Sequence, residues 1–212
     1  MFSINELSKH DIEQMCTAGV WNDQCPVSLA ALRRVDIEHY NFENKLRKGQ
    51  IIVHNKIAHA ILSIFRKLAE IKFPIHSMKP IHSYNGDDNL SMEDNNSSGF
   101  NFRNILNSDL ISLHSYGLAI DINPLQNPFI IIHDNQSVEI FPKQGVGFLN
   151  RNNQRKGMVE PVIELFKEYG FEWGGNWNSP IDYHHFQIPR KLAAKFLIDE
   201  ETLNAENNIL RS

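Results

Sequence analysis

The ten-residue segment 112–121, SLHSYGLAID, constrains the fold more than any other part of the chain. His114 and Asp121 lie seven residues apart, so on one unbroken strand their side chains would point to opposite faces. They can meet only if the chain reverses between them, and the Tyr-Gly pair that ends at Gly117 can form that turn. Ala119 then begins a predicted short strand that returns Asp121 towards His114. The small side chain at position 119 would also let the backbone approach a bound ion closely.

A second cluster, DYHHF over 182–186, supplies further imidazoles and a carboxylate. Two histidines and one aspartate form the ligand set of a catalytic zinc site, in which three protein groups leave a fourth position open for water. Neighbouring side chains on a strand point to opposite faces, so we expect either His184 or His185, but not both, to face the site. Asp182 is then the spare carboxylate, predicted to take a proton from water and pass it to the leaving amine.

Three further residue types around these clusters are candidates for substrate contacts. Arg103 precedes the first cluster and could stabilise negative charge on the tetrahedral oxygen or grip a substrate carboxylate. Ser112 is expected to form a hydrogen bond near the site rather than to act as a nucleophile. Tyr183, with Trp173 and Trp177, could line a cleft for a peptide, although buried aromatic side chains are more often part of the core.

Composition excludes several classes of function. The chain has 212 residues and a formal net charge of −4, so it lacks the basic footprint expected of a nucleic-acid-binding protein. No segment has the length and hydrophobicity of a transmembrane helix, and the N-terminus lacks the features of a secretory signal. Cys16 and Cys25 lie far in sequence from both clusters, which leaves a disulfide and two free thiols as open alternatives.

The pattern of apolar and turn-forming residues predicts an α+β protein, because strands and helices do not alternate regularly. The predicted elements are a helix over 4–15, strands over 33–42 and 50–54, a helix capped by Asn55, a strand over 75–81, a polar loop over 85–104, strands flanking the first cluster, a hairpin over 129–141, a polar loop over 145–157, a helix from Pro161 to Gly170 and a helical tail after Pro189. An acidic run over 87–94 lacks the spacing of a calcium loop and is read as part of a solvated loop. Residues 1–50 are predicted to be an N-terminal extension packed on a catalytic domain that comprises residues 51–212.

The two clusters also carry a family resemblance. The pattern SxHxxGxAxD over 112–121 resembles the first zinc motif of the D-alanyl-D-alanine carboxypeptidase family, which includes vancomycin-resistance enzymes and phage endolysins that cut L-alanyl-D-glutamate bonds. DxxHFQ over 182–187, preceded by WGGNW over 173–177, resembles the second motif in the endolysin-like branch. Further similar segments are GDD over 86–88, SM over 91–92 and NNSSGFNFR over 95–103. Two separated motifs that agree in order and spacing make the resemblance specific.

The resemblance implies a site and a fold. It places one zinc ion on His114, Asp121 and His185, and makes Asp182 the catalytic acid and base. Arg103 would stabilise the substrate or the transition state; the vancomycin-resistance branch has glutamate at the position of Asp182. The implied fold is a small antiparallel sheet flanked by helices, as in the hedgehog-like zinc peptidases.

The same resemblance implies a function. We expect a zinc metallopeptidase that cleaves a bond next to a D-amino acid in peptidoglycan stem peptides, as a carboxypeptidase or an L-alanyl-D-glutamate endopeptidase. Such a substrate would place the protein in the cell envelope or outside the cell. Two alternatives are a non-catalytic, zinc-containing cell-wall binding module and a metal-dependent hydrolase with a non-peptide substrate.

Overall fold

The computed structural model describes residues 2–106 and 108–196. Their helices and small antiparallel sheets are mixed, which confirms the α+β class. The strands are β1 Ser3–Glu6, β2 Leu32–Tyr40, β3 Leu46–His54, β4 Ser77–Met78, β5 Asn96–Ser97, β6 Ala119–Asp121, β7 Phe129–Ile132, β8 Val138–Phe141, β9 Glu172–Trp173, β10 Ile181–Asp182 and β11 His185–Gln187. The α-helices are α1 Lys9–Thr17, α2 Asn55–Glu70, α3 Asp88–Glu93 and α4 Ile163–Glu168. Short 3₁₀ turns cover Leu29–Ala31, Ile81–Tyr84, Leu113–Tyr116, Lys143–Phe148, Glu160–Val162 and Gly174–Asn176.

The strands are distributed over several small sheets rather than one. Three antiparallel sheets have the strand orders β1-β2-β3, β10-β7-β8 and β6-β11-β9, and β4 pairs with β5 in parallel. Two of these sheets carry the residues of the second cluster: β10 ends at Asp182, and β11 begins at His185. The hedgehog-like arrangement of these sheets stays a prediction.

The beginning of the chain differs from the predicted helix over 4–15. Ser3–Glu6 forms strand β1, in which Ile4 lies opposite Val35 of β2, so the first residues extend a sheet instead. The helix starts only at Lys9, because Ser8 forms a capping box with Asp11 that satisfies backbone N–H groups at the helix start. A local cap therefore sets the helix boundary.

Helix α2 is found where the apolar stripe predicts it, and it packs on the β1-β2-β3 sheet. Its cap differs from the prediction: His54, not Asn55, occupies the capping position, and its side chain accepts the N–H of Lys56 at 3.2 Å. The predicted boundary between residues 50 and 51 falls within β3, which pairs with β2 along its length. The division into an N-terminal extension and a catalytic domain stays a prediction.

Several connecting segments contain more or less structure than predicted. The predicted strand over 75–81 is reduced to β4, and the predicted loop over 85–104 contains α3 and β5. The acidic run is therefore largely helical: Asp87 caps α3 by accepting the N–H of Leu90. The first cluster itself begins with a 3₁₀ turn, at the place where a flanking strand is predicted, and the predicted loop over 145–157 begins within another 3₁₀ turn.

The later elements agree better with the sequence. The hairpin over 129–141 and a helix ending before Gly170 are both present, as β7-β8 and α4. The tail is helical from Arg190 to residue 196, and the rest of the predicted tail lies outside the described residues. Cys16 and Cys25 are both free thiols. Among the described residues, no helix has the length and hydrophobicity needed to cross a bilayer.

Candidate metal and catalytic site

The first cluster forms a 3₁₀ turn followed by a tight reversal and a strand. Leu113–Tyr116 makes the turn, and Gly117 adopts a left-handed conformation with φ of 65°. A Cβ atom at Gly117 would lie 2.6 Å from the backbone nitrogen of His54, so both the conformation and the close approach require glycine. The predicted reversal is found at this position, and β6 then carries Asp121 back beside His114.

Strand pairing brings the second cluster to the first. In the β6-β11 ladder His185 lies directly opposite Asp121. His114, Asp121 and His185 are all buried, and each offers a ligand atom within 4.8 Å of the other two. Nε2 of His114 lies 3.1 Å from Nδ1 of His185 and 3.2 Å from Oδ2 of Asp121, and Nδ1 of His185 lies 3.0 Å from Oδ1 of Asp121.

Hydrogen bonding fixes the ring nitrogen that His114 presents to this cluster. Its Nδ1 lies 2.7 Å from the carbonyl oxygen of Gly99, and a carbonyl can only accept, so Nδ1 carries the hydrogen. Neutral His114 then has its Nε2 lone pair free for a ligand. Gly99 makes this contact possible, because a Cβ there would lie 2.4 Å from the carbonyl oxygen of Ile52.

Hydrogen bonds through Gln187 and Glu172 likewise determine which ring nitrogen of His185 carries the hydrogen. Glu172 can only accept, so the Nε2 amide of Gln187 donates to its carboxylate and Oε1 of Gln187 faces the imidazole. Oε1 lies 2.9 Å from Nε2 of His185, which therefore carries the hydrogen. Nδ1 of His185 is left to face Asp121 as a free lone pair.

These contacts fit a cation better than a metal-free cluster. Two imidazole lone pairs 3.1 Å apart, next to a carboxylate, repel one another unless a proton or a cation lies between them. Two neutral imidazoles and one carboxylate are also the donor types that zinc takes in catalytic sites, with partners that orient the far ring nitrogens. His114, Asp121 and His185 therefore form a cluster that could bind a metal ion.

The adjacent histidine, His184, also approaches the site, so the expectation that only one of the pair can do so is wrong. His184 lies in a bend before β11 begins, and strand alternation does not apply to it. Its Nδ1 donates to the carbonyl oxygen of Asn127 at 2.9 Å. Its Nε2 lies 3.0 Å from Oδ1 of Asp182 and 3.8 Å from Oδ1 of Asp121.

The two carboxyl groups have pKa values displaced in opposite directions. Burial would raise the pKa of Asp121, but the neighbouring imidazoles of His114, His184 and His185 hold that pKa well below its ordinary value. Burial is also the main influence on Asp182, and it raises the pKa of this carboxyl, with the negative charge of Asp121 acting in the same direction. Carboxylates whose environments separate their pKa values in this way commonly have different chemical roles.

Within the described part of the chain, one carboxylate oxygen of Asp182 is left without a hydrogen bond. Among the residues the structure describes, its Oδ1 has no hydrogen-bond partner, although Nε2 of His184 lies close by. A buried carboxylate oxygen without a hydrogen bond is costly and therefore needs an explanation, such as a catalytic role or a bound ion. Asp182 lines the same cavity as His114 and His185, two of the three metal-capable residues.

That cavity has a volume of about 680 Å³ and includes most of the other candidate residues. Arg103, Ser112 and Trp177 line it, whereas Tyr183 and Trp173 do not. The Ser112 hydroxyl accepts the backbone N–H of His114 at 3.3 Å, and so supports the turn that carries this histidine.

The ring of Tyr183 packs against other side chains and does not line the cavity. Its ring lies 5.8 Å from that of Trp173 and 4.4 Å from the guanidinium of Arg151. Its predicted role in substrate binding stays a prediction, without a cavity contact to support it.

Sequence reasoning assigned no role to the individual residues that support the site. Gln187 lies two positions after His185 and therefore on the same face of the strand, a signal that was available. Glu172 and Gly99 are brought in by long-range pairing and carry no local signal. Asn127, whose side chain accepts from Arg151 at 2.8 Å and whose carbonyl holds His184, belongs to the same group.

Comparison with known proteins agrees with this geometry. Residues 107–188 match a family profile described as D-alanyl-D-alanine carboxypeptidase. The resemblance to this peptidase family is confirmed. The matched segment contains both clusters and ends one residue after β11.

A similar protein also supports the match to this peptidase family. The chain is 34% identical over 77 residues to the peptidoglycan L-alanyl-D-glutamate endopeptidase CwlK of Bacillus subtilis (strain 168). This match covers 36% of the chain and 39% of that endopeptidase, so the similarity to this member of the family is partial. No solved structure is significantly similar to the chain.

Proposed function

We propose that the protein is a zinc metallopeptidase that hydrolyses a peptide bond next to a D-amino acid in peptidoglycan stem peptides. One observation carries the proposal: a cluster of three metal-capable side chains, two of which line a cavity, lies close to a separate carboxyl group with a raised pKa in the same cavity. The family match and the partial similarity to a peptidoglycan endopeptidase support this substrate class.

The roles of the residues follow from their surroundings. His114, Asp121 and His185 would hold the ion, and each of the two imidazoles would do so through the ring nitrogen left free by the hydrogen bond at its other nitrogen. Zinc bound there would polarise the scissile carbonyl and acidify a water molecule. Asp182, with its raised pKa, can accept a proton from that water and deliver it to the departing amine.

Arg103 would provide the positive charge on the substrate side of the cavity. Its guanidinium can donate to a substrate carboxylate or to the oxyanion that develops in the transition state. Ser112 would act mainly by holding the turn of His114. The apolar wall formed by Phe129, Phe141 and Trp177 would contact the uncharged part of a peptide.

The test uses zinc-loaded protein and defined muropeptides, with mass spectrometry of the products. We expect release of fragments that identify one bond next to a D-amino acid. Asp182→Asn should keep its bound zinc and lose about 10²-fold to 10⁴-fold in kcat/KM, the usual contribution of a general acid or base. Asp134→Asn is the control, since Asp134 is exposed between β7 and β8 and does not line the cavity.

Two results would overturn the proposal. One is the absence of cleavage of every muropeptide by the zinc-loaded protein; binding to intact cell walls without turnover would then favour a binding module. The other is equal activity of Asp182→Asn and the unsubstituted protein, which would remove the carboxyl group from the mechanism.

A further inference from the structure

An ion pair on the cavity wall joins helix α3 to the segment before the first cluster. Nη2 of Arg103 lies 2.8 Å from Oδ2 of Asp88, and both side chains are partly buried, with exposures of 31% and 25%. Both residues line the cavity that contains His114 and Asp182. Asp88 has no part in the proposed chemistry, so its position next to Arg103 needs an explanation.

The backbone of Arg103 is already fixed to the turn that carries His114. Its N–H donates to Oγ of Ser115 at 2.9 Å, and its carbonyl accepts from the N–H of Ser112 at 3.1 Å. The long arginine side chain is the part that still has rotational freedom, which costs free energy to restrict. The contact with Asp88 supplies that restriction.

The guanidinium is only partly satisfied by this contact. Nε of Arg103 is buried and has no hydrogen-bond partner among the described residues. A guanidinium has five N–H donors and no acceptor, so its unpaired donors can be satisfied only by an oxygen or another acceptor. A donor left unpaired in the wall of a cavity is suited to an anionic or carbonyl group of a ligand.

Separate residues place Asp88 at this point. Asp87 caps α3, while Ser91 and Met92 on the same helix are buried, and Oγ of Ser91 accepts from Asn96 at 3.0 Å. The cap and the buried residues hold the helix, and Asp88 is left to extend towards Arg103. Asp87 therefore caps the helix, whereas Asp88 pairs with Arg103.

We propose that Asp88 is a positioning residue that holds the guanidinium of Arg103 for a carboxylate or oxyanion of the substrate. This inference rests on the proposed function. An ion pair that solvent still reaches contributes little to stability, so we assign this partly buried pair to the pre-organisation of a donor before the substrate binds. Asp88 acts only through Arg103.

The experiment compares Asp88→Asn, Asp88→Glu, Arg103→Lys and the Asp88→Asn/Arg103→Lys double variant on a muropeptide that the protein cleaves. We expect Asp88→Asn to lower kcat/KM roughly 10-fold to 100-fold, as for other losses of orientation. The double variant should be no worse than Arg103→Lys alone, because Asp88 has nothing left to position. Asp88→Glu, which keeps the charge, should recover part of the loss.

The matched control is Asp94→Asn. It removes the same charge from the end of the same helix, but Asp94 pairs with Lys79 and Tyr84 and does not line the cavity. We expect its kinetics to equal those of the unsubstituted protein. Equal kinetics of Asp88→Asn and Asp94→Asn would overturn the inference, and so would losses that multiply in the double variant.

A second measurement does not depend on turnover. Nitrogen-15 NMR can follow the Nε–H signal of Arg103, assigned by its loss in Arg103→Lys. The signal should change in position or width in Asp88→Asn and stay unchanged in Asp94→Asn. If the protein cleaves no muropeptide, the proposed function fails, but this signal still tests whether Asp88 positions Arg103. An unchanged signal in Asp88→Asn would refute that positioning role.

Discussion

Oε1 of Gln187 accepts a hydrogen bond from Nε2 of His185 at 2.9 Å, and this contact selects the nitrogen that faces Asp121. The Gln187 side chain presents Oε1 to the imidazole because its NH₂ group donates to Glu172. An imidazole without such a partner can rotate or protonate at either nitrogen, which weakens it as a ligand. Substitution of Gln187 should therefore weaken metal binding, although Gln187 does not belong to the three residues that would hold the ion.

The first prediction concerns this amide. Gln187→Ala should weaken zinc binding by roughly 10-fold to 100-fold, the usual effect of removing such a partner. Competition with a chromogenic chelator measures the change. Gln50→Ala is the control, because Gln50 is exposed and bonds to Asp36 in another sheet. Equal zinc affinity in both variants would show that Gln187 does not orient His185.

The second prediction separates two roles for Ser112. If its hydroxyl mainly supports the turn, Ser112→Ala should lower the free energy of unfolding by about 1 kcal/mol and change KM little. Urea denaturation and steady-state kinetics measure the two effects. Ser28→Ala is the control, since Ser28 precedes a similar 3₁₀ turn without any side-chain cap. A raised KM with unchanged stability would instead assign Ser112 to substrate binding.

Local signals made the central part of the site predictable. Gly117 marks the chain reversal because few residues tolerate its conformation, and the apolar stripe of α2 has a clear helical period. His184 was misjudged because strand alternation was applied to a bend. The rule holds only where the backbone is extended, and β11 begins one residue later.

The other features depended on contacts between distant parts of the chain. β1 forms because Ile4 pairs with Val35, and no local pattern distinguishes that strand from the start of a helix. The Arg103–Asp88 pair and the contact of His114 with Gly99 likewise join separate segments. Burial and hydrogen bonding of this kind appear only once the chain is folded.

The third prediction concerns the hydrogen bonds of Arg151, which support His184 through Asn127. Arg151 donates to both carboxylate oxygens of Glu160 and to the side chain of Asn127, whose carbonyl holds His184. Arg151→Met should lower the free energy of unfolding by about 2–4 kcal/mol, because it leaves a largely buried carboxylate without its partner.

Thermal or urea denaturation measures this loss. The control is Lys167→Met, which breaks an exposed pair with Glu164 and should cost less than about 0.5 kcal/mol. Similar losses in the two variants would mean that the Arg151 network contributes no more than a surface ion pair.

The fourth prediction concerns the pH dependence of stability. His39 is 3% exposed, and burial lowers the pKa of its imidazole below the ordinary value, assisted by the charges of Arg47 and His76. The unfolded chain therefore binds a proton more readily than the folded protein. Stability should be complete above the ordinary histidine pKa, near 6.5, and should fall as the pH drops below it towards the folded pKa.

His39→Gln should remove this contribution, so the free energy of unfolding should change less between about pH 5 and pH 7 than in the unsubstituted protein. Part of the slope should remain, because burial also lowers the pKa of His82. The control is His59→Gln, a change on the exposed face of α2. The slope is the readout, so an overall loss of stability in His39→Gln does not affect the test; an unchanged slope would mean that His39 does not couple folding to protonation.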